Sequence, residues 1–140
     1  MDSYPTEDHE LRLFRNTEKL SHLPKTPFWQ DGYVYATDGR IAVRRIEKTP
    51  QPTAQLLHPH APTMHLLPWA TECHTKWPSL YMLRGDKESA MIGGRSIAIK
   101  YARRIARLGG VHYRASGTAC KPLAFSNGEI IGLVMPLSTN

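Results

Sequence analysis

The amino-acid sequence predicts an α+β domain in which antiparallel sheet carries helices on one face. Three features lead there. Asp-Gly and Asn-Gly dipeptides recur between short apolar runs, where two-residue hairpin turns need positive φ. One stretch near the middle of the second half is strongly amphipathic at helical spacing. The order strand, helix, strands is met twice, on either side of a proline-rich connection, so the domain reads as internally duplicated. With 140 residues and 15.8 kDa, the chain is expected to form a single domain over 1–140. That length buries a core without disulfide or metal staples.

The first unit covers about Leu11 to Ile46. Leu11-Arg12-Leu13-Phe14 reads as a strand, and Asn16 or Thr17 caps a short helix through Leu23 that Pro24 stops. Phe28-Trp29, Tyr33 to Ala36 and Ile41 to Val43 then form a meander whose turns are Asp31-Gly32 and Asp38-Gly39. The connection, about 47–78, holds Pro50, Pro52, Pro59, Pro62, Pro68 and Pro78 together with His58, His60, His65 and His74. Most of it is expected to be ordered but irregular, with at most one short helix around Met64 to Leu67. The second unit, about 79–137, opens with strands Ser79 to Leu83 and Ser89 to Ile92 around Gly85-Asp86. Arg95 to Ile99 continues, after the Gly93-Gly94 turn, into a helix from Lys100 to Leu108 that Gly109-Gly110 ends. Strands Val111 to Arg114, Leu123 to Phe125 and Ile130 to Met135 complete the unit, the last two joined by Ser126-Asn127-Gly128.

The net charge is +6 and the isoelectric point near 9.6, which favours polyanionic partners, nucleic acid foremost. Cys73 and Cys120 make no C-x-x-C pair, in keeping with free thiols in a reducing compartment. The segment Met1 to Glu10 lacks the charge and apolar pattern of a signal peptide. No apolar run approaches the roughly 18 residues that cross a bilayer. A cytoplasmic protein without membrane attachment is therefore expected.

The helix carries the charge. At about 100° per residue, Lys100, Arg103, Arg104 and Arg107 fall within an arc of roughly 100°, opposite Tyr101, Ala102, Ile105 and Leu108. Solvated helix faces usually mix signs, because opposite charges at i,i+4 stabilise them. Here cations crowd with no acid among them, a pattern suited to phosphates of duplex DNA contacted without sequence choice. Only the cations nearest the C-terminus gain from the helix dipole.

Two motifs and the strand–helix–strand between them resemble a known family. Tyr35-Ala36-Thr37-Asp38-Gly39-Arg40-Ile41-Ala42-Val43 resembles the ATDGHRLAV hairpin of the bacterial DNA polymerase III beta sliding clamp, without the histidine between Gly39 and Arg40. Leu133-Val134-Met135-Pro136-Leu137 is similar to the VVMPMRL ending of those clamps. Ile97 to Ala102 and Val111 to Arg114 resemble the strands and helix that precede that ending, and the short chain is similar to single-domain clamp-like proteins of phages and mobile elements. The resemblance implies two β-α-β-β-β units whose helices face DNA, and a non-enzymatic role in replication or processivity. A ring would take about six copies of a single domain, head to tail, so a homo-oligomer is implied as well. It further implies a partner-peptide pocket with Thr37, Gly39, Arg40 and Ile41 as one wall and Val134, Met135, Pro136 and Leu137 as the other. Replication proteins would be its occupants. The alternative is a clamp-fold interaction module that engages such proteins, or imitates a host clamp, without binding DNA. The plainer reading of these residues is a turn and the last core strand.

Other chemistry finds less support. His58, His60, His65, Cys73 and His74 offer imidazole and thiolate ligands, but their spacing matches no zinc pattern, so no metal is expected. No nucleophile elbow, H-E-x-x-H or phosphate-cradling glycine loop is present, so neither catalysis nor a cofactor is expected. Asp31 and Asp38 are expected to cap the backbone of their own turns.

Overall fold

The computed structural model describes residues 3–17, 23–53, 72–115 and 117–137. It is an α+β fold of mostly antiparallel sheet with one α-helix among these residues. The first half contributes β1 (Ser3–Pro5), a 3-10 turn (Leu11–Phe14), β2 (Phe28–Gln30), β3 (Tyr33–Thr37) and β4 (Ile41–Arg45). The second contributes β5 (Thr75–Lys76), β6 (Ser89–Ile92), β7 (Arg95–Ala98), α1 (Ile99–Arg107), β8 (His112–Arg114), β9 (Leu123–Ser126) and β10 (Ile130–Val134). Eight strands form one sheet in the order β1-β2-β3-β4-β10-β9-β8-β5, and β6 and β7 pair separately. The order is symmetric about the β4–β10 seam. On each side a meander of three strands follows the seam outward, and the earliest strand of that half lies at the edge.

The register along the strands explains the layers. Side chains alternate between sheet faces, and the apolar residues divide accordingly. Val34, Ala36, Ile41, Val43, Leu123, Phe125, Ile130 and Val134 share one cluster with Leu11, Phe14, Tyr101, Ala102 and Ile105. The 3-10 turn and α1 therefore cover the same face. Tyr35, Ala124, Ile131 and Leu133 project to the other face, where they pack with Phe28. Trp77 ties the edge strand to the helix: its indole N–H donates to the Ala102 carbonyl at 3.0 Å, and its ring lies against Tyr113 and Phe125.

The hairpin turns form as their residues dictate. Asp31 and Gly32 take φ of 54° and 90°, and Gly39 takes 93°. The Asn127 side chain accepts the N–H groups of Glu129 and Ile130 at 3.0 and 2.8 Å, closing the turn between β9 and β10.

Two expectations need correction. Leu11–Phe14 is a 3-10 turn, not a strand. The Asp8 carboxylate accepts the Leu11 N–H at 3.1 Å and starts the turn, so Leu11 and Phe14, three apart, face the core while Leu13 is exposed. Ser79–Leu83 is also a turn, not a strand. Leu83 N–H donates to the Ser79 carbonyl at 3.1 Å and Met82 N–H to the Ser79 hydroxyl at 3.3 Å. Within the connection, Thr75–Lys76 pairs with β8 as the sheet's last strand. Both of its residues are exposed, so no apolar alternation announced it. Of the first expected helix, Asn16, Thr17 and Leu23 are non-helical and the remainder lies outside the described residues, as does Met64 to Leu67.

Candidate nucleic-acid interface

Helix α1 begins one residue earlier than the pattern of cations requires, at Ile99, and ends at Arg107 before Gly109 and Gly110, whose φ values are 74° and 65°. Its apolar side is buried through Tyr101, Ala102 and Ile105. Its first turn has no acid and no side-chain cap. The cations divide by what they touch. Arg103 is half-buried and donates from Nε to the Leu83 carbonyl at 3.0 Å and from Nη2 to the Gly85 carbonyl at 2.7 Å, pinning the 80–85 turn to the helix. Lys100 and Arg104 flank the Tyr101 ring, at 5.0 and 5.7 Å from its centroid. Arg107 is exposed in the last turn. Among the described residues no ion pair involves Lys100, Arg104 or Arg107.

Tyr101 joins this helix to the hairpin. Its hydroxyl donates to Asp38 Oδ2 at 2.6 Å, while Asp38 Oδ1 accepts the N–H groups of Arg40 and Ile41 at 2.9 and 3.1 Å. Burial, then the bond to the Asp38 carboxylate, pushes the phenol well above the ordinary tyrosine range. Asp38 thus caps its own turn and holds α1 at a fixed place beside it.

The two expected pocket walls are neighbours in space. Ile41 is the register partner of Val134, and Met135 N–H donates to the Arg40 carbonyl at 2.9 Å. Their side chains have different fates. Thr37, Ile41 and Val134 are buried, with the Thr37 hydroxyl donating to the Ile41 carbonyl at 2.8 Å. Gly39, Arg40, Met135 and Leu137 are exposed, and Pro136 is half-buried between the last two. Leu137 N–H reaches back to the Ser96 carbonyl at 2.8 Å, binding the segment after β10 to β7. What the strands present outward is a short apolar edge beside a turn.

Of the histidine and cysteine set, His58, His60 and His65 lie outside the described residues. His74 is exposed, and Cys73 packs against the Phe28–Tyr35 cluster, where burial pushes its thiol up against the opposing influence of Arg114. Among the described residues no group of three or more metal-ligating side chains is assembled. No helix among them is long and apolar enough to cross a membrane.

One surface escaped sequence reasoning. Leu80, Tyr81, Met82 and Met91 are 45, 70, 64 and 73% exposed. Met82 and Met91 border a cavity of about 460 Å³ with Trp77 and Tyr113 on its wall. A strand at 79–83 hides this patch, because alternation sends half of its side chains inward. The serine-initiated turn puts three consecutive apolar residues on the surface. Pro78-Ser79 was the available signal.

No protein-family model matches the chain, and no curated protein or solved structure matches it significantly.

Proposed function

We propose that the chain is a non-enzymatic, sliding-clamp-like DNA-binding protein that holds duplex DNA through the solvent face of α1, in a replication-associated role. The observation that carries this reading is that face itself: Lys100, Arg104 and Arg107 without an ion-pair partner among the described residues. Crowded cations of one sign cost helix stability and are relieved by a polyanion. Arg103 contributes charge nearby while its guanidinium stays on the 80–85 turn. The mirror order of the sheet supports the finer fold reading, since each half supplies an edge strand and then a three-stranded meander, as paired β-α-β-β-β units do. The test is duplex-DNA binding by fluorescence anisotropy across a salt series, for the native protein and for Lys100→Gln/Arg104→Gln/Arg107→Gln. Each phosphate contact adds about 0.9 to the slope of log affinity on log salt, so the variant's slope is expected to shrink by roughly 2–3. A native protein that does not bind, or a variant with an unchanged slope, would overturn the proposal.

The second reading, an interaction module with the clamp fold, is favoured by the exposure of Met135 and Leu137 next to Gly39 and Arg40. It predicts replication-protein binding that Met135→Ser/Leu137→Ser abolishes and added salt barely affects.

A further inference from the structure

A second cationic surface lies at the other end of the chain and differs in shape from the α1 face. The residues after β1 and before β2 run side by side, with Thr6 N–H donating to the Pro27 carbonyl at 2.9 Å. With the 3-10 turn they enclose a cleft of about 540 Å³ lined by Arg12, Arg15 and Lys25, with Glu7 and Asp8 beside them. Ligand pockets typically run from about 300 to 1,000 Å³.

The charges in this cleft do not balance. Asp8 is already committed: its carboxylate accepts Arg45 Nε at 2.9 Å, Arg45 Nη2 at 3.0 Å and the Leu11 N–H at 3.1 Å. Glu7 is exposed. Among the described residues no ion pair involves Arg12, Arg15 or Lys25. Guanidinium forks match phosphate oxygens two at a time, and a lysine adds a mobile point charge.

We propose that this cleft binds a small phosphorylated ligand, with Arg12, Arg15 and Lys25 holding its phosphate groups. Duplex DNA carries the same phosphate chemistry, but a concave cleft fits a compact polyanion better than a rod whose phosphates face outward. The proposal stands apart from the DNA-binding role of α1.

Pyrophosphate is the probe. In calorimetric titration it is expected to bind the native protein saturably at one site. Affinity should fall about tenfold or more in Arg12→Gln/Arg15→Gln and stay level in Lys100→Gln/Arg104→Gln. A second readout needs no variant: in 15N-labelled native protein, pyrophosphate should shift the amides of Thr6 to Arg15, Lys25 and Thr26 and leave those of α1 in place. Non-saturable binding, amide shifts confined to α1, or equal losses in both variants would overturn the proposal. So would loss of duplex-DNA binding in Arg12→Gln/Arg15→Gln as large as that from the α1 variant, since the cleft would then belong to the DNA surface.

Discussion

Replacing Gly132 with alanine places a methyl group where Phe125 already lies. Gly132 is the middle residue of β10, between β4 and β9, and is register partner to both Val43 and Phe125. Its φ is not in the left-handed region, so backbone conformation alone does not demand glycine there. Space does. A Cβ at this position would stand 2.8 Å from Phe125 Cε2 and from the Ala42 carbonyl oxygen, with Phe125 Cζ nearer still. The ring has little freedom to yield, because it is fully buried and its centroid is 5.9 Å from that of Trp77. Overpacking of this kind costs about 1–3 kcal/mol. Alanine regains about 0.5–1 kcal/mol from reduced unfolded-chain freedom, yet it also presses on a backbone oxygen that cannot change rotamer. The net expectation is a loss of about 1–2 kcal/mol, or a fall in Tm on the order of 3–8 °C for a chain of this size. Thermal and urea unfolding of Gly132→Ala, Phe125→Leu and the double variant measure it. Phe125→Leu removes the ring edge, so the double variant should be more stable than the sum of the single losses, by a coupling of about 1 kcal/mol or more. A Gly132→Ala protein as stable as the native one, or losses that simply add, would refute the assignment of Gly132 to a packing constraint.

Two further outcomes concern polar contacts that tie the segment after β1 to β4 and helix α1 to the β3–β4 turn. Arg45 bonds Asp8 and Glu10 at 2.9 Å and lies 3.6 Å from Glu129; burial raises the Asp8 pKa, but the bonds from Arg45 and the Leu11 N–H outweigh it and hold the carboxyl below its usual value of 3.8. A depressed acid stabilises the fold above its unfolded pKa and loses that contribution as pH falls through the folded value. Urea unfolding of the native protein should therefore weaken on acidification below about pH 4, whereas Arg45→Met should lack about 1–3 kcal/mol at pH 7 and converge on the native protein in acid. For Tyr101→Phe, loss of the bond to Asp38 should cost about 0.5–1.5 kcal/mol at neutral pH. Because the Tyr101 pKa is raised above its ordinary 10.0, its contribution holds below that pH and declines above it, so the two proteins should approach each other in strongly alkaline unfolding experiments.

The meander of the first half, the hairpin of β9 and β10 and the amphipathic α1 were legible because each is set locally. Asp-Gly and Asn-Gly dictate their turns, and a helix with all its cations on one side permits a single inward face. The adjacency of the Thr37–Ile41 turn and the Val134–Leu137 segment came only through the resemblance to clamp motifs. What reads locally as a strand at Leu11–Phe14 and Ser79–Leu83 was decided by one polar side chain in each case. The Asp8 carboxylate and the Ser79 hydroxyl satisfy backbone N–H groups that a ladder would otherwise claim. β5 stayed hidden because an edge strand of two exposed residues has no buried face to pattern.

Alternation and turn chemistry in the sequence thus determine which residues face the core and where the chain reverses. Only the tertiary structure decides which cations remain unpaired. Arg103 reads in sequence as one of four cations facing DNA, yet it is held by the carbonyls of Leu83 and Gly85, and Arg45, which no sequence motif singles out, is held by Asp8 and Glu10. Lys100, Arg104, Arg107, Arg12, Arg15 and Lys25 find no such partner among the described residues. A charge is silenced or left available by groups far away in the chain, and such pairing depends on distance in space, which local periodicity does not encode.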